Sequence, residues 1–132
     1  MKGLGTSIPK GLKIGSRLVC DDNSGAKIVQ IIGILGWKAR HRRLPGAGIG
    51  DIIIAAVKKG APQMKKKIER CVITRQVKEF RRPNGLRIGF EDNSCVLIDE
   101  QGLPKGTEIK GAIAREVAER FPKVAAIAAS VI

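Results

Sequence analysis

Arg81-Arg82-Pro83-Asn84-Gly85-Leu86-Arg87-Ile88-Gly89-Phe90 is a stretch built to reverse direction and then run on as a strand. Proline suits the second position of a type I turn, Asn84 can follow it, and Gly85 takes the left-handed position that returns the chain. Leu86, Ile88 and Phe90 then alternate with Arg87, Gly89 and Glu91, so one face is apolar and the other polar. The stretch is predicted to be a positively charged β-hairpin.

Strand patterns continue on both sides of it. Upstream lie Cys71–Val77, the strongly apolar Asp51–Val57, Ile28–Leu35 and Arg17–Cys20, the last closed by the turn formers of Asp21-Asp22-Asn23-Ser24-Gly25. Gly33 interrupts Ile28–Leu35 and predicts a bulge or tight bend. Downstream, a turn at Glu91-Asp92-Asn93 leads to a strand over Cys95–Ile98. No helical period separates the early strands, which argues against a βαβ design.

The pattern changes after Lys105. Ala114, Val117, Ala118 and Phe121 recur at helical spacing, with Arg115, Glu116, Glu119 and Arg120 on the opposite side, and Pro122 is expected to stop the helix. Lys123–Ala129 suits a second short helical piece. The fold class expected is mainly β: one domain over 1–132, with an irregular arm at 1–15, a closed or nearly closed barrel with its hairpin at 16–105, and a helical tail at 106–132. On this reading a chain cut after Lys110 keeps its barrel.

Twenty-five Lys and Arg stand against 12 Asp and Glu, a formal net charge of +13 in 132 residues. Such an excess is costly in self-repulsion and points to a polyanion, because each neutralised phosphate releases counterions. Eleven of these cations fall between Lys58 and Arg87, in predicted loops and the hairpin. Lysine supplies a mobile point charge there, and arginine a fork for two phosphate oxygens. Aromatic residues are scarce: Trp37, Phe80, Phe90 and Phe121. This favours recognition of folded RNA through its backbone over stacking on single-stranded bases. Phe90 and Phe121 are expected in the core, while Trp37 and Phe80 flank basic positions and are candidates to pack on sugar or base.

Other chemistries find little support. Gly46-Ala47-Gly48-Ile49-Gly50 looks like a phosphate cradle, but Asp51 stands where a dinucleotide fingerprint needs its third glycine, and a strand follows instead of a helix. The only histidine, His41, lies among arginines, and the carboxylates sit beside turns, so no catalytic residue and no cofactor are expected. Cys20, Cys71 and Cys95 are odd in number and far apart, which suits three small buried thiols in a reducing compartment better than a disulfide or a metal site. No apolar run is long enough for a membrane span or a signal peptide, so a cytosolic protein is expected.

Several spaced strings, in order, make a more specific mark than any of these. Cys-Asp-Asp-Asn-Ser-Gly-Ala at 20–26, Gly-Ile-Gly-Asp-Ile-Ile at 48–53, Arg-Arg-Pro-Asn-Gly at 81–85, Phe-Glu-Asp-Asn-Ser at 90–94 and Gly-Ala-Ile-Ala-Arg-Glu-Val at 111–117 resemble the universal family of the fourteenth protein of the large ribosomal subunit. The resemblance runs from about Gly15 onward. The Met-Lys-Gly-Leu-Gly start, the loop from Trp37 to Leu44 and Val-Lys-Lys-Gly-Ala-Pro at 57–62 are similar to its archaeal branch.

The resemblance implies a small five-stranded β-barrel with a basic β-ribbon and short C-terminal helices. It implies a structural, cytoplasmic constituent of the large ribosomal subunit that binds large-subunit rRNA and contributes to an intersubunit bridge with small-subunit rRNA. Neighbours it implies are the third large-subunit protein, a small zinc-containing archaeal protein of the same subunit, and the factor that prevents premature subunit joining. Carried onto this chain, the RNA contacts would be Lys38, Arg40, Arg42 and Arg43 in the basic loop and Lys78, Arg81, Arg82 and Arg87 in the hairpin. Lys65, Lys66 and Lys67 join them from the charge pattern, and Arg115 and Arg120 are candidates for bridge or factor contact.

Overall fold

The structure is a computed structural model that describes residues 8–37 and 40–132. In chain order its elements are β1 (Leu12–Lys13), β2 (Arg17–Cys20), β3 (Ala26–Ile34), β4 (Gly46–Ala47), β5 (Ile52–Gly60), β6 (Ile68–Arg75), β7 (Phe80–Arg81), β8 (Arg87–Ile88), β9 (Ser94–Ile98), β10 (Ile109–Ile113), α1 (Arg115–Arg120), α2 (Pro122–Ala126) and β11 (Ala128–Val131). Strands β2, β3, β5, β6 and β9 close into a barrel. Closure comes from a parallel pairing of β2 with β9, Val19 opposite Ser94 and Cys20 opposite Cys95, whereas the other barrel pairs are antiparallel.

The five barrel strands overlap the five predicted segments, because alternation or near-continuous apolar character marks residues that leave water on one or both faces. Leu18, Val29, Ile31, Ile53, Ile73 and Leu97 are fully buried and fill the barrel. The register slips between Ile31 and Gly33, which places the expected bulge at that glycine. In the hairpin, Gly85 has φ 89° and donates its N–H to the Arg82 carbonyl at 2.8 Å, while the Arg82 N–H is bonded to the Leu86 carbonyl. The ladder itself is short, Phe80 opposite Ile88 and Arg81 opposite Arg87. Leu86 is exposed at the turn, whereas Ile88 and Phe90 are partly buried and pack against the core.

The ends of the chain depart from expectation. The part of the arm that is described contains β1, which pairs with β4 at the start of the glycine-rich stretch of residues 46–50. Residues 1–7 of the arm lie outside the described residues. The tail is only partly helical: β10 and β11 form a parallel two-stranded sheet around the helices, Ile113 opposite Val131. Helix α1 therefore starts late, after Ala114, whose backbone is extended. Pro122 ends α1 as expected and also opens α2, where its fixed φ and missing N–H cost nothing at the first turn.

This tail is part of the core. Val72 and Val96 lie opposite each other on the outside of β6 and β9, yet are buried. Ile113, Ala114, Val117, Phe121 and Val124 belong to the same buried cluster. The Ala114 N–H donates to the Thr74 carbonyl of β6 at 3.2 Å, so backbone and side chains both join tail to barrel. A polar seam lies beside it. Arg75 reaches Asp21 at 2.5 Å, both oxygens of Asp92 at 2.9 and 3.0 Å, and the Ala112 carbonyl at 3.2 Å. A side chain at position 111 would overlap that guanidinium, which explains Gly111. Burial pushes the Asp21 carboxyl above the ordinary aspartate value, with Arg75 opposing the shift.

Candidate nucleic-acid interface

The cations sort by their environment. Arg40, Arg42 and Arg43 are exposed in a turn closed by the Arg43 N–H on the Arg40 carbonyl at 2.9 Å. His41 and Arg42 have φ of 37° and 62°, an uncommon left-handed pair that fits a hairpin-type turn. Lys38 lies outside the described residues. Lys65, Lys66 and Lys67 are exposed in the turn between β5 and β6, which is closed by the Lys66 N–H on the Val57 carbonyl and the Val57 N–H on the Lys67 carbonyl. Lys78 and Arg81 are exposed around β7. Arg87 is exposed as well and pairs with Glu79 at 3.1 Å, a contact that water and salt weaken.

Arg82 must be removed from this group. Its side chain is buried, with Nε and Nη2 donating to the two Glu116 oxygens at 3.2 and 3.0 Å and Nη2 also to the Ile132 carbonyl at 2.7 Å. Its guanidinium carbon lies 5.5 Å from the centre of the Phe80 ring. Neighbours in sequence on a strand point to opposite sides, so Arg81 faces solvent and Arg82 the tail. Phe80 is itself buried and cannot pack on a sugar or base. Glu116 likewise belongs to the interior, although the helical pattern put it on the outer side of α1. The charge at position 82 is thus a bolt between hairpin and tail. Arg75, counted in the basic run, is also held internally by Asp21 and Asp92.

On the tail, Arg115 is exposed, and Arg120 is half-buried over the Gly50 carbonyl at 3.5 Å. The glycine-rich loop is no anion cradle. Its Gly48 N–H is bonded to Asp51, its Ile49 N–H to Gln76 and its Gly50 N–H to the Ile73 carbonyl, so these donors face the protein. A side chain at Gly46 or Gly48 would run into the arm at Lys10 or Ile8 and Pro9, which is the close backbone approach those glycines permit.

The three cysteines, distant in sequence, converge inside the barrel: Cys20 and Cys95 are ladder neighbours, and hydrogen bonding of the neutral Cys95 thiol with Cys20 and Cys71, together with burial, pushes that thiol well up. All three are free. Only pairing of the strands could have revealed this trio, and only packing of the tail the partners of Arg82; nothing in local sequence records which chain segment lies opposite. Among the described residues no helix is long and apolar enough to cross a membrane, and no cluster of His, Cys, Asp or Glu is arranged to hold a metal.

The family model described as ribosomal protein L14p/L23e matches residues 11–132. The large ribosomal subunit protein uL14 of Methanocorpusculum labreanum is 54% identical over 132 residues, covering 100% of both chains. Proteins of the same name from Methanocella arvoryzae and Methanoregula boonei are each 52% identical over the same full span.

Proposed function

The chain belongs to the ribosomal protein L14p/L23e family, a structural and non-enzymatic component of the large ribosomal subunit, and from that membership we propose that it binds large-subunit rRNA and contributes to an intersubunit bridge with small-subunit rRNA. As a large-subunit protein it works in the cytoplasm, within the ribosome. The observation that carries the rRNA reading is the division among the cations. Buried Arg82 and partly buried Arg75 are engaged by carboxylates, whereas Arg40, Arg42, Arg43, Lys65, Lys66, Lys67, Lys78 and Arg81 stand exposed on turns and the hairpin. Exposed cations on rigid supports suit phosphate, which rewards position and charge more than base identity. Lys38 is assigned to the same loop group from its place in the sequence, and Arg87 joins the hairpin group once phosphate displaces Glu79.

Arg115 and Arg120 form the proposed bridge or factor-contact group, Arg115 being the freer of the two. The third large-subunit protein, a small zinc-containing archaeal protein of that subunit and the anti-association factor are proposed neighbours on the family resemblance.

Two experiments test the reading. In a sucrose gradient of cell extract the protein should travel with the large subunit at one copy per particle and survive a high-salt wash. Recovery at the top of the gradient would place it outside the ribosome. For the contacts themselves, Arg81→Ala and Lys66→Ala should each weaken binding to a large-subunit rRNA fragment on the order of tenfold and lower the salt slope by about one unit. An unchanged slope would remove that residue from the phosphate contacts.

A further inference from the structure

Of the apolar surface on the outside of the barrel, the tail covers one part and leaves another open. Over β6 and β9 the tail seals Val72 and Val96. Over β5 and the start of β6 no element among the described residues does the same. The register sets Ala56 opposite Ile68 and Ile54 opposite Arg70, and directly opposed residues share a face. Ile68 is left 64% exposed there. A groove of about 360 Å³ runs along this region, with Ile54, Ile68 and Ile98 supplying its apolar lining.

The groove's charge sets it apart from the rest of a chain of net charge +13. Its lining includes Glu69, Asp99 and Glu100 against Arg70 and Lys105. Lys105 is already paired with Glu69. Asp99 is fixed by accepting the N–H groups of Gln101 and Leu103, both at 2.9 Å, and Glu100 is exposed without an ion pair among the described residues. Phosphate is repelled by two carboxylates on one wall, and isoleucines give a nucleobase no ring to stack on. Aliphatic side chains with a neighbouring cation match both the lining and the wall.

We propose that this groove docks an extended segment of a neighbouring large-subunit protein, one whose aliphatic side chains cover Ile54 and Ile68 and whose Lys or Arg meets Asp99 and Glu100. The proposal rests on the chain's place in the large subunit and is independent of its rRNA contacts.

The test uses large subunits purified from cells in which a photo-reactive phenylalanine analogue replaces Ile68. Irradiation should join position 68 to a peptide of another large-subunit protein that carries aliphatic residues and Lys or Arg. Adding Glu100→Lys should lower that yield about fivefold, the scale of an exposed attraction replaced by repulsion. A crosslink to rRNA, a crosslink to an acidic peptide, no crosslink, or a yield indifferent to Glu100→Lys overturns the proposal. Absence of the labelled protein from the subunits overturns it together with the ribosomal placement, which separates the two failures.

Discussion

A chain ending at Lys110 is expected to lose the cooperative unfolding transition of the full-length protein. The cut removes Ile113, Val117, Phe121 and Val124, all buried, each of which contributes about 1.5–3 kcal/mol through its burial. It also uncovers Val72 and Val96 on the outer side of the barrel and strips Arg75 of its bond to the Ala112 carbonyl. Freedom regained by the missing residues offsets part of this, but total stabilities of small domains are only about 5–15 kcal/mol. Thermal and denaturant melts followed by circular dichroism would decide the matter. A truncated chain that melts cooperatively within a few degrees of the intact one would show that the barrel stands alone, as the sequence pattern by itself suggests.

The second large effect should come from Arg82→Ala, with a loss of about 3–5 kcal/mol in stability, because it strands Glu116 as a buried charge without its partner. The Ile132 carbonyl loses a donor at the same time. Replacing both members, Arg82→Met with Glu116→Leu, should recover much of the loss, since two apolar side chains need no solvation. Arg81→Ala, one residue away and exposed, should move stability by about 0.5 kcal/mol or less. The adjacent arginines therefore separate two roles, folding at 82 and the proposed rRNA contact at 81. If urea titration finds less than about 1 kcal/mol for Arg82→Ala, the pair is not the bolt described here.

The barrel strands were legible in the sequence because alternation and dense apolar runs report directly on which faces leave water. The turn at Pro83-Asn84-Gly85 was legible because those residues restrict the backbone on their own. What escaped was long-range. β1 and β4 are two residues each and have no period to detect. Lys123–Ala129 reads as one alanine-rich helical piece, but the helix ends at Ala126 and the chain from Ala128 becomes a strand because β10 offers a ladder. Among the cations, exposed Arg81 and buried Arg82 are the same residue type one step apart. A strand's alternation predicts that they diverge, but only the tail packed behind Phe80 decides which one turns inward.

The seam that closes the barrel joins Val19 and Cys20 to Ser94 and Cys95, and the buried Asp22 carboxylate accepts the Leu97 N–H at 3.0 Å across it. During synthesis β2 must wait for a partner made some seventy-five residues later, since pairings this distant along the chain form slowly. Until then β2 has an unpaired edge, and the basic turn at Lys65–Lys67 has already emerged. A nascent chain in this state is both sticky and strongly cationic, so the rate of closure bears on how cleanly the protein reaches its assembly site. Slowing the seam, for example through Asp22→Ala, should show first as aggregation during expression rather than as a defect in the finished particle.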